Sequence, residues 1–338
     1  SNFFYKTKHF PIKPTKFMHH TALVITGPTA TGKTKLAVHL ARQFNGEIIS
    51  ADSRQVYRGM DIGTGKDLSE YGDGANRVPC HLLDVVEPQE DFHLKRFLEL
   101  ALEAMDGIRS RGRLPVIAGG TPLYVNALLR GYSLPGGEPN QQLREELQNL
   151  TREELIQRLH AVASPELLQR TDITQDKRII RAIEIASSPQ ADSILTEPLD
   201  NPLVIAPYFP RKTVRQRIEI RLDERLQEGL VQEVQSLRDH GLSWEKLDWF
   251  GLEYRYVAKY LKQELTFDQM RTELLAKIRH FCKSQDIWFR KMEREGIVIH
   301  WIPEGDPSEA ASLVARWLAH EPLPEPSIRL ADISYSKK

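Results

Sequence analysis

One segment of the chain has the composition and spacing of a phosphate-binding loop. It reads Gly27-Pro-Thr-Ala-Thr-Gly-Lys33-Thr34, and it follows an apolar run and opens a helical pattern. In that context the backbone N–H groups and the helix N-terminus attract an anion, Lys33 adds a positive charge and Thr34 can hold Mg²⁺. The residues predicted to bind a diphosphate or triphosphate are therefore Gly27, Pro28, Thr29, Ala30, Thr31, Gly32, Lys33 and Thr34.

Asp52 is the second candidate for chemistry. It follows a short apolar run, Glu47–Ser50, which predicts a strand. A carboxylate at the end of a strand beside a phosphate-binding loop can help to hold Mg²⁺ or can accept a proton from a nucleophile. It can also cap a turn, and position alone leaves the three roles open. The loop itself does not say whether phosphate is transferred, hydrolysed or expelled as a leaving group.

The elements that must position these residues follow a regular alternation. Short apolar runs alternate with helical patterns after residue 20, which predicts an α/β fold of the P-loop NTPase type, with a parallel sheet flanked by helices, a helical insertion and a helical C-terminal part. Predicted strands are 21–26, 47–50, 81–86, 114–118, 203–206 and 297–301, and predicted helices include 33–44, 94–111, 140–150, 152–161 and 274–294. We divide the chain into a flexible leader (1–20), a first core part (21–135), the insertion (136–200), a second core part with basic helices (201–320) and a tail (321–338).

Composition gives general limits only. The 338 residues include 46 Lys+Arg and 46 Asp+Glu, so net charge argues neither for nor against a polyanionic partner. Cys80 and Cys282 offer no disulfide framework and no zinc spacing, which suits a reducing compartment. Because no stretch approaches the roughly 18 apolar residues of a membrane span, we expect a cytoplasmic protein that does not contact a membrane.

Positive charge is concentrated near the C-terminus. Residues 255–294 contain ten Lys/Arg and five Asp/Glu. On a helical wheel of residues 274–294, one stripe about 60° wide holds Arg279, Lys283, Arg290 and Arg294. The opposite side holds Leu274, Ile278, Phe281, Trp288 and Met292. The pattern predicts a helix that packs by one face and presents a charged face, which would suit a phosphate backbone or simply solvent.

Four sequence blocks together resemble the tRNA dimethylallyltransferases, also called tRNA isopentenyltransferases. The blocks are the phosphate-binding loop, Asp52–Thr64, His81–Asp84 and Gly119–Tyr124, and their order and spacing are those of the family. The resemblance implies that the loop grips dimethylallyl diphosphate, with Mg²⁺ as cofactor, and that a tRNA adenosine beside the anticodon is flipped into a channel.

The resemblance also implies roles for individual residues. Asp52 resembles the general base for the adenine amine, and Thr121 a hydroxyl partner near the diphosphate and the reacting carbon. Lys33 would stabilise the departing diphosphate. Arg217 matches the family's arginine block and would also reach the diphosphate, although an exposed helix charge gives the same pattern.

Further residues are candidates for tRNA binding. Ser53 and Gln55 could hold the edge of the flipped adenine, although Gln55 could equally be a plain loop residue. Segment 172–184 resembles the family segment that touches the anticodon arm, and Gln285 and Arg290 lie in a block that resembles the family's Lys-Arg-Gln block. The full predicted set is Ser53, Arg54, Gln55, Lys177, Arg178, Arg181, Arg279, Lys283, Gln285 and Arg290.

The sequence departs from the family pattern in two places. One is Ser284, in the Lys-Arg-Gln block, and the other is Gly251-Leu252-Glu253-Tyr254, where many members read Gly-Tyr-Arg-Gln. A carboxylate in place of an arginine removes a contact to phosphate or base, so recognition of tRNA near this point is expected to differ.

Three function classes remain at this stage. The first is a monomeric enzyme that prenylates the anticodon stem-loop of tRNA with dimethylallyl diphosphate. The second is an adenylate isopentenyltransferase that acts on free AMP, ADP or ATP, and the third is a small-molecule kinase. The basic C-terminal helix and the helical insertion favour the first class, and the Asp52–Thr64 block is not needed by a kinase.

Overall fold

The computed structural model describes residues 20–137, 139–188 and 193–333. Of the predicted leader only His20 lies within this part of the chain, and residues 334–338 of the predicted tail also lie outside it.

Eight strands occur in the described residues. They are β1 (Leu23–Ile25), β2 (Gly46–Ser50), β3 (Cys80–His81), β4 (Leu114–Ala118), β5 (Tyr132–Leu134), β6 (Ser193–Thr196), β7 (Leu203–Tyr208) and β8 (His300–Pro303). Six of them form one sheet in the order β3-β2-β4-β1-β7-β8, and every pair in it is parallel. β5 and β6 form a separate antiparallel pair. The prediction of a parallel α/β fold is confirmed.

Thirteen α-helices occur in the same residues. They are α1 (Lys33–Gln43), α2 (Leu94–Ser110), α3 (Pro122–Arg130), α4 (Gln141–Leu147), α5 (Arg152–Val162), α6 (Pro165–Arg170), α7 (Asp176–Ser187), α8 (Arg211–Glu228), α9 (Leu230–Asp239), α10 (Trp244–Trp249), α11 (Leu252–Leu261), α12 (Phe267–Arg294) and α13 (Pro307–Leu318).

The described residues divide into two compact units, Gly131–Glu197 and the remainder, residues 20–130 with 198–333. In the larger unit α1 and α13 pack on buried strands, with side chains such as Leu23, Leu40 and Val314 in one apolar core. The smaller unit has its own core around Leu159 and Ile183. Our predicted insertion was 136–200 without strands, whereas the smaller unit includes β5 and β6, whose three and four residues are too few to show a clear alternation.

Some element boundaries differ from the predicted ones, because contacts other than the local apolar pattern set where the element begins or ends. β4 has the predicted limits, but α12 begins at Phe267 because Thr266 and Gln269 form a capping box there. The third predicted strand, 81–86, was too long: β3 ends at His81, and Val86 makes only an isolated parallel bridge with Tyr57.

Strand order brings three loops to one edge of the sheet. β4 lies between β2 and β1, with Ala118 in register with both Ser50 and Ile25. Because these strands are parallel, the loops that follow them meet at their carboxyl ends, where α/β proteins bind ligands. The phosphate-binding loop follows β1, Asp52 follows β2 and Thr121 follows β4.

Candidate active site

A cavity of about 410 Å³ lies at this edge and contains the three predicted catalytic residues, Asp52, Thr121 and Lys33. Its wall also includes the starts of α3 and α11 and parts of α8 and α12. Gly119 permits this convergence, because a Cβ there would lie 2.2 Å from the carbonyl oxygen of Ala51. We call this cavity the central pocket.

Lys33 is the first residue of α1, and its ammonium is held by the loop itself. Its Nζ donates to the carbonyl oxygen of Pro28 at 2.7 Å. Burial and then the charge of Arg221 lower the Lys33 pKa from 10.5 to about 8, and the carboxylate of Asp52 partly opposes this shift. The pocket therefore contains a destabilised cation that an anionic ligand would stabilise.

Asp52 caps a turn with one oxygen only. Oδ1 accepts the backbone N–H of Arg54 at 2.8 Å and that of Gln55 at 3.3 Å. Oδ2 has no hydrogen-bond partner in the part of the chain that the structure describes. The turn thus orients the carboxylate and leaves one oxygen able to accept a proton from a ligand.

Thr121 is oriented from the same loop as Asp52. Its Oγ1 accepts the backbone N–H of Ser53 at 3.0 Å, and its own O–H donates to no described residue. The hydroxyl can therefore donate to an anionic oxygen in the pocket.

The structure gives Gln55 and Arg54 internal contacts. The Gln55 amide accepts from Ser50 Oγ at 2.9 Å and donates to the carbonyl oxygens of Thr64 and Gly65 at 3.2 and 3.1 Å. Arg54 lies 4.4 Å above the ring of Trp249 and donates to its carbonyl oxygen. Both residues line the central pocket, but the polar atoms of the Gln55 amide are already bonded within the chain.

Gln285 also makes internal contacts. Its Oε1 accepts the backbone N–H of Thr29 at 2.9 Å, and its Nε2 donates to the carbonyl oxygen of Gly120 at 3.2 Å. It is buried on α12. Gln285 therefore joins the phosphate-binding loop to the loop after β4.

The arginines of α8 are distributed differently from the prediction. Arg217 does not line the central pocket: its Nε donates to the carbonyl oxygen of Ala30 at 2.7 Å, its guanidinium lies 4.4 Å above the Phe209 ring, and it lines a separate cavity. Arg221 and Arg225, four and eight residues later, line the central pocket. Sequence reasoning missed them, although the spacing placed all three on one helix face.

The charged stripe of α12 faces another cavity. Arg279 and Lys283 line a cavity of about 560 Å³ beside Pro28 and Thr31. Arg279 is paired with Glu219 at 2.7 Å, and Arg290 donates to the carbonyl oxygen of Ile333. Only part of the predicted stripe is therefore exposed.

The opposite side of α12 was predicted to pack inward, and for Phe281 that was wrong. Its side chain is 48% exposed and lines the central pocket, whereas the neighbouring Ile278 and Cys282 of the same helix are buried. The helical wheel gave the direction of the side chain correctly, but that direction leads into a cavity rather than into the core.

The three predicted tRNA contacts of α7 are placed in the smaller unit. Lys177 is exposed, and Arg178 forms an ion pair with Asp172 at 2.8 Å. Arg181 donates to Glu184 and to the carbonyl oxygens of Pro135 and Gly137. Arg181 thus stabilises the fold of its own unit.

The block Asp61–Lys66 is held by two charged side chains, Glu233 and the buried Lys66. Glu233 accepts the backbone N–H groups of Asp61, Ile62 and Gly63 at 3.0, 2.7 and 3.1 Å and the hydroxyl of Tyr254 at 2.7 Å. The fully buried Lys66 donates to Tyr57, Asp61 and Asp84. This part of the family-like block therefore has a structural role, namely to position the pocket wall at Thr64 and Gly65.

The described residues contain no group of three or more His, Cys, Asp or Glu side chains arranged to hold a metal. Thr34 lies in the central pocket beside Lys33. This donor set fits Mg²⁺ bound chiefly by ligand phosphates and water, as is usual for Mg²⁺, and does not fit a metal held by protein alone. No helix in the described part of the chain is long and apolar enough to cross a membrane.

Fold and pocket together define a class: a protein with a P-loop-like fold in which residues of the loop after β1 share one cavity with a carboxylate and a hydroxyl. The sequence model of the "IPP transferase" family matches residues 55–292, and that of the "Isopentenyl transferase" family matches residues 20–84. The chain belongs to the tRNA dimethylallyltransferase family.

Similar proteins support this membership along nearly the whole length. The chain is 48% identical over 295 residues to tRNA dimethylallyltransferase 1 of Geotalea uraniireducens, covering 87% of this chain and 96% of the relative. It is 48% identical over 296 residues to tRNA dimethylallyltransferase 2 of Trichlorobacter lovleyi, with 86% and 95% covered.

Two solved structures are also similar. The tRNA isopentenylpyrophosphate transferase of Bacillus halodurans is 32% identical with a TM-score of 0.65, and the match covers 89% of this chain and 97% of that one. A eukaryotic dimethylallyltransferase, solved acting on tRNA, has a TM-score of 0.73 at 20% identity, with 90% and 81% covered, which shows the shared fold.

Proposed function

We propose that this protein transfers a dimethylallyl group from dimethylallyl diphosphate to the exocyclic amine of an adenosine beside the anticodon of tRNA, and releases diphosphate. The observation that carries the proposal is the convergence of Lys33, Asp52 and Thr121 in one pocket, in a chain of this family. A kinase can use the same two features, a phosphate site and a carboxylate that accepts a proton, so membership of this family is what favours prenyl transfer over phosphoryl transfer.

The donor half of the pocket is formed by the phosphate-binding loop. Its backbone N–H groups, Lys33 and the Thr121 hydroxyl would hold the diphosphate and stabilise the charge that grows as the carbon–oxygen bond breaks. In our proposal Arg221, which lines the pocket beside Lys33, takes the role that the sequence predicted for Arg217. Thr34 would hold Mg²⁺, which neutralises diphosphate charge when bound.

Asp52 would act in the acceptor half. Its free Oδ2 accepts one proton of the adenine amine while nitrogen attacks the allylic carbon, and the diphosphate leaves with the bonding electrons. A neutral amine is a weak nucleophile, so positioning and exclusion of water supply the rest of the acceleration.

tRNA is the acceptor that the basic surfaces favour. Lys283 on α12 and Lys177 and Arg178 on α7 are proposed to contact its phosphates, and Ser53 to lie beside the flipped nucleotide. We propose that a monomer suffices, because the loops after β1, β2 and β4 of one sheet bring Lys33, Asp52 and Thr121 together. We also propose that the reaction takes place in the cytoplasm.

The direct test is incubation with Mg²⁺, dimethylallyl diphosphate and an anticodon stem-loop that carries adenosine beside the anticodon. Mass spectrometry should detect one added dimethylallyl group on that base. Transfer to free AMP, with none to the stem-loop, would reject tRNA as the acceptor in favour of an adenylate isopentenyltransferase.

The role of Asp52 is tested by Asp52→Asn. Asparagine keeps the turn-capping oxygen but cannot take a proton, so turnover should fall by about 100-fold or more with an almost unchanged unfolding temperature. Asp73→Asn, outside the central pocket, is the matched control. Near-normal turnover of Asp52→Asn would show that the base was assigned to the wrong residue.

A further inference from the structure

Two charged residues of the central pocket have no role in the scheme above. Arg225, in the last turn of α8, donates from Nη1 to Glu253 Oε1 at 3.4 Å, near the start of α11. Their side chains are 13% and 22% exposed, and both line the central pocket with Asp52. The pair is therefore largely buried at the site of the reaction.

Each residue of the pair has a polar atom that is not hydrogen-bonded within the described residues. Arg225 Nε is buried without a hydrogen-bond partner among the described residues, and Glu253 Oε2 has none there either. Buried polar atoms are nearly always bonded in folded proteins, so the Arg225 guanidinium, whose residue lines the pocket, has unused hydrogen-bonding capacity. A donor beside an acceptor matches a ligand edge with the complementary pattern.

Gly65 shows how closely Arg225 is fitted to this wall. Its φ is +62°, and a Cβ there would lie 2.0 Å from Arg225 Nη2 and 2.6 Å from Arg221 Nη2. Glu233 fixes the loop that ends at Gly65. The Arg225 guanidinium therefore lies close against a backbone segment whose preceding residues Glu233 fixes.

Two residues of the predicted tRNA-binding set that line the central pocket have amide side chains, and both amides are already bonded. Gln55 uses its amide on Ser50, Thr64 and Gly65, and Gln285 uses its amide on Thr29 and Gly120. The central pocket therefore lacks a base-edge contact from either amide.

We propose that Arg225 and Glu253 recognise the adenine edge: Arg225 donates to the ring nitrogen beside the amine, and Glu253 accepts the amine hydrogen that is not transferred to Asp52. This proposal rests on the function proposed above. Adenine presents an amine donor beside a ring-nitrogen acceptor, which complements the pair. Guanine presents the acceptor O6 in place of the amine, which Glu253 would repel.

The assignment also accounts for the departure from the family pattern at Gly251–Tyr254. A carboxylate there was expected to remove a phosphate or base contact, but Glu253 is anchored by Arg225 and adds an acceptor to the pocket. The two residues act as one unit, because Glu253 alone would carry an uncompensated charge into a largely buried position.

The test compares anticodon stem-loops that contain adenosine, 1-deazaadenosine or 7-deazaadenosine at the target position. Each is assayed with the wild type, Arg225→Met and the control Arg316→Met, which removes an arginine from a remote surface pair with Glu321. For adenosine, Arg225→Met should lower kcat/KM by about 10- to 100-fold, the effect of losing one hydrogen bond from a charged donor. Arg316→Met should match the wild type.

The discriminating readout is coupling between protein and base. One of the two deaza substitutions should lower kcat/KM of the wild type by about 10- to 100-fold, as Arg225→Met does with adenosine. The same substitution should not slow Arg225→Met further, because that variant already lacks the hydrogen bond to the ring nitrogen. Changes in amine reactivity caused by the deaza ring would slow both enzymes equally. If Arg225→Met does not fold, Glu253→Gln is the alternative variant, because it preserves side-chain volume. It weakens the contact that positions Arg225 and should therefore reduce the effect of the deaza substitution on kcat/KM.

The outcomes separate this proposal from the underlying function. Equal losses by wild type and Arg225→Met with both deaza bases, or undiminished activity of Arg225→Met on adenosine, would overturn the recognition role alone. A wild type that modifies no adenosine stem-loop would overturn the proposed function, and this proposal with it.

Discussion

The pKa of Lys33 makes the strength of diphosphate binding depend on pH near neutrality. Burial, and then Arg221, lower this pKa to about 8, whereas an ordinary lysine at 10.5 would remain charged throughout the range. A bound anion favours the protonated form, so binding is expected to weaken as pH rises through about 8.

The size of the effect follows from the fraction of protonated Lys33. With a pKa of about 8 the ammonium is roughly 90% populated at pH 7 and roughly 10% at pH 9. If only this form binds, affinity falls about tenfold between these values, or about 1.4 kcal/mol. Replacing Arg221 by Met removes the second cause of the shift and should move the midpoint to higher pH.

Isothermal titration with a non-reactive dimethylallyl diphosphate analogue and Mg²⁺, from pH 6.5 to 9.5, measures this dependence. Lys33→Met is the control, because any slope that it retains reports titration of the ligand. An affinity of the wild type that is constant across the range, or that falls no more than that of Lys33→Met, would refute the reasoning.

The same pKa has a consequence for folding stability. Because the folded-state pKa lies below the unfolded value, the unfolded chain binds more protons between about pH 8 and 10.5, and the stability of the wild type should rise with pH in that window. Urea denaturation should therefore give Lys33→Met a higher free energy of unfolding than the wild type at pH 7. The difference between the two free energies should become smaller above pH 8. A gap that is independent of pH would contradict this.

Two further predictions concern the wall of the central pocket. Gly65→Ala should reduce transfer at least tenfold, since its Cβ would lie 2.0 Å from Arg225 Nη2, whereas Gly241→Ala, also at positive φ but with open space, should retain activity. Glu233→Gln should lower the free energy of unfolding by about 2 kcal/mol, measured by urea denaturation, because a weaker acceptor replaces a carboxylate with four hydrogen bonds. Glu228→Gln should change it by less than about 0.5 kcal/mol, and equal effects of the two variants would argue against the bracing role.

The fold was predictable because its signals are local. The apolar run of β4 and the loop-to-helix pattern at Gly32 and Lys33 gave the element type and nearly the boundaries. The start of α12 was missed because a capping box at Thr266, rather than apolar periodicity, sets it. β3 was overextended because the chain after His81 leaves the sheet to meet the loop around Tyr57.

The sequence alone determined the phosphate-binding loop, Asp52 and Thr121 as candidates, because each is specified by short spacing or by family-like blocks. Tertiary structure decided which arginines of α8 face the pocket, because a helix face can point to several cavities and its rotation depends on packing. It also decided that Gln55 and Gln285 are bonded internally while Arg225 and Glu253, 28 residues apart, retain unpaired polar atoms. Hydrogen-bond saturation depends on groups brought together from distant parts of the chain, and no local pattern records it.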